Sequence, residues 1–151
     1  MKKILLLLFF GFGVLNLKAQ TSTNYDEALA KSLGADEYGM KMYVFVVLKT
    51  GGNTKESKTK TDSLFAGHMT NIGKMVENKK LIVAGPFGKN EDSFRGLFIL
   101  NVSTIDEAKE LMQTDPAIKA DLLKPDFYPW YGSAALPLYL KEVDKITKKN
   151  H

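Results

Sequence analysis

Residues 64–88, LFAGHMTNIGKMVENKKLIVAGPFG, restrict the fold more than any other stretch. Leu64, Phe65, His68, Ile72, Met75 and Val76 recur at three- and four-residue steps, which puts them on one face of an α-helix. Glu77 to Lys80 is a polar turn, and Leu81 to Ala84 is a short apolar run that reads as a buried strand. Gly85-Pro86-Phe87-Gly88 breaks that strand, because proline cannot donate to a ladder. One member of the apolar stripe titrates. Apart from the terminal His151, His68 is the only histidine of the chain.

The elements around this stretch follow in order. Tyr25 to Leu33 has Ala28, Leu29 and Leu33 at helical spacing, with Gly34 able to end a short helix that packs on the body or on a partner subunit. Met42 to Leu48 (MYVFVVL) is apolar throughout and rich in β-branched and aromatic residues, the mark of a central strand covered on both faces. Thr50 to Lys60 is a polar, glycine-bearing loop. Thr61 or Asp62 caps the helix that carries His68. Asn90 to Ser93 is a polar turn and Phe94 to Val102 the next strand, so residues 81–102 form a hairpin. Thr104 and Glu107 make a capping box ahead of a second helix with Ile105, Ala108, Leu111 and Met112 on its apolar side. Asp115-Pro116 stops that helix and opens a new helical turn over residues 116–123. Asp126 to Tyr131 is the last strand, and Pro129 marks an edge or a bulge. Ala134 to Leu140 is apolar and suits a cover for that edge, and Lys141 to His151 reads as a fraying helix.

The order is β-α-β-β-α-β, an α+β class chain on the ferredoxin-like plan. Two helices cover one face of the sheet. The other face needs a cover of its own, and a second copy of the chain supplies one, which points to a homodimer. The 151 residues suit one domain. The expected divisions are residues 1–19, 20–40, 41–132 and 133–151.

Residues 1–19 (MKKILLLLFFGFGVLNLKA) have two lysines, an apolar run and a small residue at the end, the layout of a cleaved signal peptide. The run is shorter than the roughly 20 residues of a membrane span. The expected location is periplasmic or secreted, with no membrane contact after cleavage. Losing this segment removes three lysines and no acid, so the net charge falls from +4 to +1, which leaves nucleic acid unsupported as a partner. The absence of cysteine excludes a disulfide scaffold, a thiolate nucleophile and an acylated N-terminal cysteine. With one histidine in the body, no dedicated transition-metal site is expected. Gly85-x-x-Gly88 lacks the following helix of a phosphate loop. There is no Gly-x-Ser-x-Gly elbow.

His68 reads either as a general acid or base in a half-buried pocket or as a core histidine satisfied by one hydrogen bond. Arg95 is the only arginine, and its fork suits either a substrate carboxylate or a surface ion pair. Tyr43, Phe87, Tyr128 and Trp130 are candidates to line a pocket, with core or interface packing as the alternative.

His68, the segment KLIVAGPF at residues 80–87, Arg95-Gly96, Thr114-Asp115-Pro116 and Pro129-Trp130, taken in that order, resemble the YCII-related family over residues 41–132. The resemblance implies a dimeric α+β barrel in which two sheets meet face to face. It also implies an active site built from His68 and Asp115. In that role Asp115 would orient the ring of His68 and fix its tautomer, while also capping the turn opened by Pro116. The leader and the helical lead lie outside the plain family domain. The expected function is an extracytoplasmic small-molecule enzyme that uses a His68–Asp115 acid/base dyad, of isomerase, lyase or hydrolase type, without a redox cofactor. The alternative is a non-catalytic dimeric small-ligand-binding or structural module.

Overall fold

The structure, a computed structural model, describes residues 24–148. The expected signal peptide at residues 1–19 lies outside them. Among the described residues no helix is long and apolar enough to cross a membrane.

A short helix α1 (Glu27–Leu33) is capped by Asp26 and closed by Gly34 in the left-handed conformation. None of its side chains is fully buried, and Ala30 and Leu33 are half-buried. The body runs β1 (Met40–Thr50), α2 (Lys58–Glu77), β2 (Leu81–Pro86), β3 (Phe94–Leu100), α3 (Ile105–Met112), α4 (Pro116–Lys119) and β4 (Leu123–Ser133). The four strands form one sheet in the order β2-β3-β1-β4, antiparallel at every pairing. This is the α+β, ferredoxin-like arrangement.

Apolar residues of even number on β1 and β3 face the helices. Val44, Val46, Leu48, Phe98 and Leu100 form the core with Met75 of α2 and Ala108 and Met112 of α3. Side chains alternate along a strand, so Tyr43, Phe45 and Val47 take the other face. Their cross-strand partners share it: Ile99 and Tyr128 beside Phe45, Leu97 beside Val47, Trp130 beside Tyr43. Tyr43 and Val47 are buried even there, while Phe45 is only half covered.

Several boundaries differ from the sequence reading. Helix α2 starts a turn earlier, because the Ser57 hydroxyl caps Lys60 N at 3.3 Å and Lys58 pairs with Asp62 at 2.6 Å inside the first turns. Thr61 and Asp62 are therefore helical residues. The buried face of α2 is His68, Asn71 and Met75, and Val76 turns outward. Strand β3 stops at Leu100, and β4 begins at Leu123 because the turn opened by Pro116 closes after four residues. The C-terminal segment (a 3₁₀ turn at Leu136–Tyr139, then α5, Leu140–Ile146) does not cover the β4 edge. The Tyr139 hydroxyl donates to the Ile82 carbonyl on β2, at the opposite edge of the sheet.

Candidate functional site

Helix α2 and the Asp115-Pro116 turn carry the site. The Ser57 cap and twenty helical residues fix α2 over the sheet. At Gly67 the helix passes so close to α4 that an added Cβ would lie 2.7 Å from Cγ of Pro116. A proline ring cannot swing aside, so only glycine allows this approach. The neighbouring residue, His68, thereby reaches Asp115, and its Nδ1 lies 2.6 Å from Oδ2.

Asp115 is fully buried. Its Oδ1 accepts from Ala117 N at 2.9 Å and Ile118 N at 3.3 Å, which caps α4. Its Oδ2 takes His68, with Nδ2 of Asn71 at 3.5 Å. Burial acts to raise the Asp115 carboxyl. The hydrogen bond and charge of His68 and the two backbone N–H groups act the other way and prevail, so it stays below the usual carboxylate range. An ionised carboxylate only accepts, so the hydrogen of the 2.6 Å bond sits on Nδ1 of His68.

The second ring nitrogen, Nε2, has no protein partner among the described residues, and none of their buried side-chain nitrogens or oxygens is left unpartnered. Nε2 is therefore accessible, and His68 lines a cavity. That cavity has a volume of about 450 Å³ between α2 and the ends of β1, β2 and β3. Its walls are mostly apolar: Leu48, Phe65, Met69, Ile72, Ala84, Pro86, Phe98 and Leu123. The His68 ring is clamped edge-on by Phe65 and stacked on Phe98 at 6.0 Å, which limits its rotation.

Arg95 lines the same cavity. The β1–β3 register slips there: Leu48 faces Gly96 and Lys49 faces Phe94, so Arg95 has no partner on β1. Such bulges re-aim side chains. Its guanidinium pairs with no carboxylate among the described residues.

The aromatic candidates are not brought to this cavity. Tyr43 and Trp130 pair at 5.7 Å on the sheet face opposite the helices, and Tyr128 lies on that face too. A strand apolar at every position hides which alternate set meets the helices. Phe87 stays half exposed, with its ring 5.6 Å from that of Phe94. Sequence reasoning missed Asn71, whose Oδ1 accepts from the Thr114 hydroxyl at 3.0 Å. Its signal was a polar residue one turn beyond His68 on the same face. Among the described residues no three His, Asp or Glu side chains converge as a metal site would require.

The model of the YCII-related domain matches residues 42–125, more than half of the chain. Comparison with curated proteins gives no match. Among solved structures, 5-chloro-2-hydroxyhydroquinone dehydrochlorinase (TftG) from Burkholderia phenoliruptrix AC1100, in complex with 2,5-dihydroxybenzoquinone, is similar at 20% identity and a TM-score of 0.42. The alignment covers 58% of this chain and 92% of that one.

Proposed function

The chain belongs to the YCII-related domain family, and from that premise we propose that it is a small-molecule enzyme in which His68 moves a proton. The observation that carries this reading is one ring with two environments. Nδ1 is held by a buried carboxylate at 2.6 Å, and Nε2 is accessible on a ring that lines an apolar cavity. With its hydrogen on Nδ1, the ring presents a lone pair to a substrate C–H or O–H. When Nε2 takes that proton, the imidazolium stays paired with Asp115. The proton then returns at another atom, giving an isomerisation, or stays while a leaving group departs, giving an elimination. Delivery of the proton from a bound water to Nε2 would serve a hydrolysis. General acid–base catalysis of this kind contributes about 10²–10⁴-fold. Arg95 is the candidate grip for an anionic oxygen of the substrate.

The test is proton exchange. Small organic anions with an acidic C–H are incubated in D₂O with the purified protein, and NMR follows loss of the C–H signal. The protein should accelerate exchange for some members of the set, and His68→Ala should abolish the acceleration without changing the circular dichroism. Undiminished exchange by His68→Ala would remove the catalytic role. The mostly apolar wall also favours a second reading, a binding module for the same small ligands, in which case compounds bind without any exchange.

Two further parts of the reading rest on sequence and surface. The leader pattern of residues 1–19 supports a periplasmic or secreted protein. The apolar outer face of the sheet supports a homodimer. Strand addition at either edge is disfavoured: β4 lacks donors at Pro125 and Pro129, and the Tyr139 hydroxyl occupies the Ile82 carbonyl on β2. These features favour face-to-face pairing of two copies.

A further inference from the structure

We propose that Asn71 is a positioning residue of the site, one that moderates how strongly Asp115 holds a proton on His68. This rests on the proton-transfer reading of the cavity.

Asn71 is buried and lies one helical turn beyond His68. The direction of its amide follows from its two neighbours. One end meets the Asp115 carboxylate at 3.5 Å and the other the Thr114 hydroxyl at 3.0 Å. An oxygen turned towards the ionised carboxylate would be repelled, so Nδ2 faces Asp115 and Oδ1 accepts from Thr114. The Thr114 hydrogen is shared with the Leu111 carbonyl at 2.7 Å, which anchors the hydroxyl to the end of α3. The anchor holds the amide, and the amide holds the positive end of its dipole against the oxygen that His68 uses.

At 3.5 Å the contact is long for a hydrogen bond. Its effect is that of a dipole beside a charge, which persists at that distance beside a fully buried carboxylate. The amide partly neutralises Oδ2 and so weakens its hold on an imidazolium. Without it, the full charge of Oδ2 would bear on the ring. The charged and titratable groups that face His68 among the described residues are Asp115, behind it, and Arg95, which lines the same cavity. Asn71 also lines a groove on the far side of the cluster, with Thr114, Lys74 and Lys80. It therefore stands between the carboxylate and that groove, and a test must keep its bulk.

The experiment is an NMR titration of the histidine ring nitrogens in the purified full chain. With His68 and His151 alone in the sequence, two sets of signals suffice. Asn71→Leu keeps the branched shape and removes the dipole, and should move the His68 midpoint up. Asn71→Asp sets a second acid beside the first and should move it up further. Thr114→Val, which leaves Asn71 present but unanchored, should give a smaller shift of the same sign, and it covers the case in which the Asn71 variants fail to fold. His151 should not move in any of them. A His68 midpoint unchanged in folded Asn71→Leu, or in Thr114→Val if that is the only folded variant, would make Asn71 a packing residue only and overturn the proposal. The titration needs no substrate, so the result stands whether or not the exchange assay finds one.

Discussion

The two faces of the sheet use similar residues to opposite ends. On the helix side, Val44, Val46, Leu48, Phe98 and Leu100 are sealed under α2 and α3, together with the buried polar residues His68, Asn71 and Asp115. On the other side, Phe45, Leu97 and Ile99 are half covered, with Tyr128 49% and Trp130 36% exposed. The closed face holds an ionised carboxylate, which water would otherwise screen, while among the described residues the open face carries no comparable buried polar cluster. A low dielectric strengthens a paired charge and penalises an unpaired one. The difference teaches that a buried polar cluster needs elements on both sides to enclose it, and that the uncovered apolar face is where the proposed dimer would form.

The largest effect should come from the closed face. Asp115→Ala removes the acceptor of His68, Asn71 and two backbone N–H groups at once, and should cost about 3–5 kcal/mol, as breaking a buried pair does. Denaturant unfolding followed by the single tryptophan, Trp130, measures it. The sign of the pH dependence follows from the lowered Asp115 value. Its contribution is complete above the unfolded value near ~4 and is lost as pH falls through the folded one. Asp115→Asn should remove that part of the acid sensitivity. An acid limb identical to the native protein's would place the source elsewhere.

Next in size is the contact that brings the two halves of the site together. In an open helix Gly→Ala is worth up to about 1 kcal/mol of stabilisation. At Gly67 the added methyl meets Pro116, so the sign should reverse, with a loss of about 1–3 kcal/mol, as overpacking costs. The same change should loosen the His68–Asp115 bond, seen as averaging of the two ring-nitrogen signals. A stabilised Gly67→Ala would show that α2 and α4 tolerate a wider gap.

The same contrast explains what the sequence disclosed. Helix α2 was legible because its stripe has a period near 3.6, and the capping box was legible because two residues at a fixed spacing, Thr104 and Glu107, specify it. Asp115 was legible as a cap from Pro116 alone, and its place at His68 came only from a family resemblance, since 47 residues separate them. The sequence left the aromatics open between pocket and packing because residues 42–48 of β1 are apolar at every position, which conceals the alternation that sorts Tyr43 from Val44. Asn71 was overlooked because a single polar residue breaks no period. Gly67 gave no sign at all, because a close approach depends on the partner helix.

The open face supplies the last and smallest effect on the fold itself. Tyr128 is half exposed on an edge strand and has Phe45 across from it on β1. Tyr128→Glu should change the stability of one chain by no more than about 0.5 kcal/mol, the usual range for exposed positions. Its effect on assembly should be out of proportion to that. If two outer faces meet, the substitution buries two like charges in an apolar interface, where neither has a partner. Sedimentation should then show a dimer for the native chain and a monomer for the variant, with the same circular dichroism. A native chain that sediments as a monomer, or a variant that stays dimeric, would mean that this face is covered by something other than its own copy. The contrast between the faces would then rest on the closed side alone.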